Sequence, residues 1–293
     1  MDTKDLAIRC ENVFTTFLIG WQSFLMMFFT TFKATIKALL GQLFGILMVS
    51  LAPVLEYREM IDISETPDGW IYLFLSISGS VIFAYYLWKF FVVLGAVNLL
   101  ARDIYENRAI ANISFYTSDI LRKKGSYFRF LIGYLFIALI FSAITALVLY
   151  SEQKLIVYNY WTNIANFGLI VVQSAILLGY ILFSNIALQG YVFNRLIGFV
   201  QTVAKIINFI KKHFIPLTIL SFLTVLFSNI IAYVTQIITT FLVINPFNLY
   251  GDNSIGIFLR FTAGFIANGF VVVFLQYIYT RLYLISEECE KMY

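Results

Sequence analysis

The side chains that could do chemistry are few, and most are cations. Arg260 stands inside the apolar run "SIGIFLRFTAGFIANGFVVVF", about 12 Å of helical rise beyond Asp252. On a helix, Gly264 and Asn268 follow it one and two turns later, which makes one slanting stripe of polar and small residues. Two readings of Arg260 stand. In one, the guanidinium lines a cavity for an anionic or lipid-headgroup ligand, with Asn268 as a second contact. In the other it snorkels outward to headgroups and pairs with Asp252. The remaining cations cluster ahead of apolar runs: Arg122, Lys123 and Lys124 in "SDILRKKGSYFRFLIGYL", Lys211 and Lys212 in "INFIKKHFIPLTIL", and Lys33 and Lys37 in "TTFKATIKALLGQLF". With Lys205, the first two clusters are candidates for contact with anionic headgroups.

Other chemistry is sparse. The single histidine, His213, lies in the basic run "KKHF" without a second histidine, which fits a solvated or headgroup-facing imidazole better than a metal ligand or base. Cys10 and Cys289 lie at opposite ends of the chain and form no metal-binding or redox spacing. No phosphate-binding loop, dinucleotide fingerprint, zinc-protease motif or nucleophile elbow is present. The sequon Asn112-Ile113-Ser114 falls on the expected cytoplasmic side, where glycan transfer does not reach. With no acid, base or metal constellation, the expectation is a non-enzyme with no cofactor, no metal and no nucleic-acid partner.

These residues need elements to hold them, and composition names the medium. Of 293 residues, 61% are hydrophobic and 12% charged, and mean hydropathy is +0.86. Soluble domains carry about 25% charged residues. This much apolar surface calls for a bilayer, so the expected fold is all-α and polytopic. Six stretches reach the length a membrane helix needs: 38–55, 70–97, 128–149, 164–190, 214–243 and 255–282. Lys and Arg crowd both termini and the 98–127 and 191–213 connections, while the opposite loops hold Arg58 and Lys154 alone. That asymmetry puts both termini in the cytoplasm. The amides within the spans, Gln173, Asn185, Gln189, Asn229, Gln236, Asn268 and Gln276, are expected to form interhelical hydrogen bonds.

The basic runs recur. Each precedes a span, an outward loop and a returning span, and the junction residues Trp70, Trp161 and Ser254 recur at about 90 residues. A single membrane domain of three repeat-like units, 11–100, 101–190 and 191–282, follows, each opening with an amphipathic elbow helix. The third elbow is the clearest. Arg195, Gln201, Thr202, Lys205, Asn208 and Lys212 share one face; Leu196, Phe199, Val200, Val203, Ile206, Ile207 and Ile210 share the other. Such a helix lies in the headgroup plane, apolar face down, unless it packs on protein instead. The second elbow falls near 103–124. The first, 12–36, contains "NVFTTFLIGWQSFLMMFFTTF", which is long and apolar enough to be a seventh span; its place in the repeat favours an elbow.

On "SDILRKKGSYFRFLIGYLF", "FVQTVAKIINFIKKHFIPLTIL" and the closing "YIYTRLYLISEE", the chain resembles the YciC-like family of bacterial six-span proteins and the membrane domain attached to some glycerophosphodiester phosphodiesterases. The resemblance covers the chain from about Asn98 onward; the Phe-rich start to Leu40 departs from it. It implies a bacterial inner-membrane, lipid-associated role and supplies no catalytic residues. Two functions stay open. One is a non-enzymatic membrane protein that handles lipid or another amphiphile, or supports a membrane assembly. The other is the membrane subunit of an ATP-driven permease with a separate ATPase as partner.

Overall fold

The computed structural model describes residues 3–57, 66–122, 124–154, 160–194, 198–241 and 254–292. They form eight helices and no strand: α1 (Thr3–Tyr57), α2 (Thr66–Tyr105), α3 (Ile113–Arg122), α4 (Lys124–Lys154), α5 (Tyr160–Phe193), α6 (Phe199–Lys212), α7 (Phe214–Thr239) and α8 (Ser254–Met292). Six of them hold segments long and apolar enough to cross a membrane: Phe14–Leu51, Trp70–Tyr105, Phe128–Leu147, Ser174–Phe193, Phe214–Thr239 and Phe258–Ile285. In hydrocarbon, a helix is the element whose backbone donors and acceptors are all met within one segment. The chain is a polytopic helical membrane protein. Arg58 and Asp252, in connections between apolar segments, lie outside the described residues.

The first elbow is where the structure departs from the expectation. Residues 12–36 and 38–55 belong to one uninterrupted helix, α1. They are neither a separate surface helix nor a separate seventh span. A turn between them would need residues that release the i→i−4 ladder. The sequence from Thr30 to Phe44 offers no proline, and its only glycine, Gly41, serves packing instead. At 1.5 Å per residue α1 is about 80 Å of helix, far more than a single crossing requires.

The chain divides into two compact units: residues 1–20, 119–225 and 278–293 form one, and 21–118 with 226–277 form the other. In the second unit, the Phe-rich stretch of α1 packs on α8. Trp21 and Phe24 meet Phe274 edge-on, with ring centroids 5.3 and 5.5 Å apart. Phe28 and Phe32 meet Phe270 at 5.6 and 5.4 Å. Trp21, Phe24, Phe28 and Phe32 recur at three- and four-residue steps, so one face of α1 carries the whole ladder. Further along, Leu39 fills the space a side chain at Gly269 would need. Partner numbers on α8 fall as those on α1 rise, so the two helices run antiparallel.

The α1–α2 contact is closer still. A Cβ on Gly45 would lie 2.6 Å from the Phe83 nitrogen and 2.8 Å from the Gly79 carbonyl oxygen, and one on Gly79 would strike Gly45 and Val49. Gly41, one turn before Gly45, lies against the Tyr86 ring. Small residues at this spacing let two helix backbones approach, and in lipid that dispersion contact drives association. The Gln42 amide adds a hydrogen bond to the Tyr86 carbonyl at 3.3 Å. Beyond this crossing α2 is buried on every side: Val92, Val93, Leu94, Ala96, Val97, Leu99 and Leu100 are all core.

The second elbow is shorter than its expected 103–124. α2 runs through Tyr105 and ends in a Schellman arrangement, with Asn107 left-handed (φ 53°), Arg108 N–H donating to the Asp103 carbonyl and Asn107 N–H to that of Ile104. Asn112 then caps α3: its side-chain oxygen accepts the Ser114 N–H at 3.3 Å. The sequon asparagine thus has a structural use. The Tyr116 hydroxyl donates to Asp103 at 2.9 Å and accepts the Ala111 N–H at 3.3 Å, tying the start of α3 to the end of α2. Arg102–Asp103 (3.4 Å) and Arg108–Glu106 (2.7 Å) ion pairs surround it.

Burial, and then the Asp103 carboxylate, push the Tyr116 hydroxyl above its ordinary pKa of 10.0. The folded state therefore holds this proton more tightly than the unfolded chain. Its stabilisation is complete below pH 10.0 and is lost as pH rises through the elevated value. Tyr116→Phe should lower stability by about 1 kcal/mol at pH 8. Thermal unfolding in detergent should show the gap between wild type and variant closing above pH 10.0.

Candidate functional site

In the unit formed by residues 1–20, 119–225 and 278–293, polar groups gather where α5, α6, α7 and α8 meet. Asn185 of α5 donates to the Tyr279 hydroxyl at 2.7 Å and lies 3.3 Å from Ser221 Oγ on α7. Tyr279 Oη is 3.2 Å from Ser221 Oγ and 3.5 Å from Thr224 Oγ1. Tyr279 is fully buried and Ser221 and Thr224 nearly so. Three hydroxyl and amide groups from two helices, α5 and α7, thus converge on the Tyr279 oxygen of α8 in an apolar surround. There, an unmatched hydroxyl would cost more than the bond itself contributes.

One turn later on α8, Tyr283 repeats the device. Its hydroxyl accepts from Asn194 Nδ2 at 2.7 Å, and Asn194 Oδ1 accepts from Lys205 Nζ at 3.0 Å. Phe193 and Phe209 stack on the Tyr283 ring at 5.7 and 5.0 Å. Asn194 therefore links the end of α5 to α8 and to a lysine of α6.

α6 carries three faces where the sequence suggested two. Thr202, Ile206 and Phe209 are buried, and Phe199 reaches the Phe130 ring at 6.3 Å. Ile206 packs where a side chain on Gly190 would sit, and Phe199 covers Gly133. Val200 and Ile207, about 100–120° around the helix from Ile206, remain exposed. Gln201, Lys205, Asn208, Lys211 and Lys212 form the exposed polar remainder. The helix is thus docked on protein by one edge of its apolar side, while the other edge is left to the surroundings. Thr202, assigned from periodicity to the polar face, is buried, and its hydroxyl is satisfied by donating to the Gly198 carbonyl at 3.0 Å. His213, read from the basic run as a solvated or headgroup-facing imidazole, is half-buried, with its ring centroid 4.7 Å from that of Phe209. Arg195 and Leu196 lie outside the described residues.

A groove of about 340 Å³ lies between α4 and α5, lined by Phe141, Ser142, Thr145, Ala146, Ile176, Leu177 and Tyr180. Ser142, Ala146 and Leu177 are exposed, so it opens to the surroundings. Thr145 turns its hydroxyl back to the Phe141 carbonyl at 2.9 Å, and that polar group adds little to the lining. From Phe128 to Phe141, and from Phe193 to Tyr180, is about 20 Å of helix. The groove therefore sits well into the apolar segments, toward the ends remote from α6.

The candidate residues named from sequence fall in different places. Arg122, Lys205, Lys211 and Lys212 are exposed in the unit that holds α6. Lys123 lies outside the described residues, and Lys124 opens α4. Arg260 and Asn268 belong to the other unit, both exposed on α8, and Gly264 between them has open space around it. Their stripe faces outward. Lys89, a further cation of the spans, lies over the Tyr85 ring at 5.2 Å. Sequence reasoning missed the groove and the tyrosine pair. Tyr279 and Tyr283 were legible as an i, i+4 pair in "YIYTRLYL", whereas the groove is a gap between helices and has no signature. Among the described residues, no group of three His, Cys, Asp or Glu side chains is placed to hold a metal ion.

No protein-family model, no curated protein and no solved structure matches the chain. The fold and site described above rest on the chain's own residues.

Tyr279→Phe should cost about 0.6–1.7 kcal/mol, the range of interhelical hydrogen bonds in membrane proteins. Asn185→Leu should cost a similar amount, and the double variant less than the sum, because both remove the same bond. Chemical unfolding in mixed micelles measures all three.

Proposed function

We propose that this protein is a non-enzymatic membrane protein that holds one chain of a lipid or similar amphiphile in the α4–α5 groove. The groove carries the reading: about 340 Å³ of largely apolar space, at the lower end of the ~300–1,000 Å³ of ligand pockets. It is open at the depth where acyl chains lie. The exposed lysines of α6 supply a second contact, with anionic headgroups, and Val200 and Ile207 dip into the acyl boundary beside them. The two contacts serve opposite leaflets, since the groove is about 20 Å of helix away from the basic end. With six crossings both termini share one side, and the Lys and Arg bias makes that side the cytoplasm. The resemblance to the YciC-like family supports a bacterial inner-membrane setting.

A permease subunit is the second reading, and α3 favours it. Outside the spans, this short helix exposes Phe115 and Leu121, apolar side chains that an ATPase partner could cover. A stoichiometric ATPase in the gently purified complex would favour the permease; bound phospholipid without one favours lipid handling.

Ala146→Trp places a bulky ring in the groove. Native mass spectrometry should then show the retained lipid reduced about tenfold, with the Tyr279–Asn185 contact and thermal stability unchanged. Lipid retention equal to wild type would remove the groove from the function.

A further inference from the structure

α7 carries a second set of amides whose surroundings differ from those of Asn185. Asn229 and Gln236 lie within the apolar segment Phe214–Thr239, Asn229 near its middle, and both are exposed. Among the described residues neither side-chain amide has a partner. Three threonines nearby are met inside the helix: Thr235 donates to the Ile231 carbonyl at 2.7 Å, Thr239 to that of Thr235 and Thr240 to that of Gln236, each at 2.8 Å. Asn229 and Gln236 have no such mate among the described residues, at a depth where lipid offers no donor or acceptor.

Their spacing is that of a helix seam. Leu226, Asn229, Tyr233, Gln236 and Thr240 follow alternating three- and four-residue steps, the a/d pattern of a left-handed helix pair. Leu226 is 46% and Tyr233 66% exposed, so the seam is uncovered over its length. We infer that this seam pairs α7 with α7 of a second copy of the chain in the membrane. A two-fold axis along the membrane normal keeps both copies at equal depth, which sets Asn229 against Asn229 and Gln236 against Gln236. Each amide has both a donor and an acceptor, so the seam is complementary to itself. A soluble partner does not reach this depth. The opposite face at the same level, with Ile238, is aliphatic and offers lipid nothing to avoid.

The test uses the full chain in phospholipid bilayers with Cys10 and Cys289 replaced by serine. Single cysteines are introduced by Asn229→Cys, Tyr233→Cys, Gln236→Cys and, on the far face, Ile238→Cys. Oxidation should yield covalent dimers from the first three and none from Ile238→Cys. Separately, Asn229→Leu with Gln236→Leu should weaken association roughly tenfold or more in a fluorescence dilution assay, with helicity and monomer stability retained. A monomer at all dilutions overturns the proposal. So do equal cross-linking at Ile238→Cys, a leucine variant that associates as tightly as wild type, and cross-links captured only by a different protein.

Discussion

A polar group inside hydrocarbon has no water to fall back on, and this constraint organises the molecule. Each amide and hydroxyl in a crossing segment must find a mate in the chain, fold back on its own helix, or meet another molecule. Threonine and serine mostly take the second route, with hydroxyls donating one turn back, as at Thr31, Ser78 and Thr218. Asn185 takes the first and joins α5 to α7 and α8 through the Tyr279 hydroxyl. The helices that bear such pairs are held in register by them. Elsewhere packing does the same work, at the Gly45–Gly79 crossing and along the Phe ladder of α1.

Much of this was legible in the residues. Composition alone implied an all-helical membrane fold, and apolar runs located the starts of three of the six spans, at Trp70, Phe128 and Phe214. The third elbow was readable because Lys205, Lys211 and Lys212 recur at helical spacing against Ile206, Ile207 and Ile210. What periodicity left open was which part of a wide apolar arc meets protein. That depends on Gly190 and Gly133, which leave room for Ile206 and Phe199.

The first elbow failed for a related reason. The repeat aligns 12–36 with 103–124 and 191–213, but those segments are interrupted where this one is not. Asn107 and Asn112 break the chain before α3, and Gly198 opens α6. From Thr3 to Tyr57 nothing comparable stops the helix, and Trp21, Phe24, Phe28 and Phe32 engage α8 along the way. The "GQLFG" spacing of Gly41 and Gly45 was the available sign that this helix packs closely on a neighbour. The tyrosine–amide pairs and the groove depend on which helices become neighbours, and apolar runs do not encode that.

The whole arrangement turns on α1 being one crossing helix and not a surface elbow joined to one. Single-cysteine accessibility along residues 12–55, in bilayers and with Cys10 and Cys289 replaced by serine, tests it directly. A crossing helix should give one unbroken protected stretch of roughly 20 residues between two labelled zones within Phe14–Leu51. Labelling that recurs every three or four residues through 12–36, as on a helix lying in the headgroup plane, would contradict it.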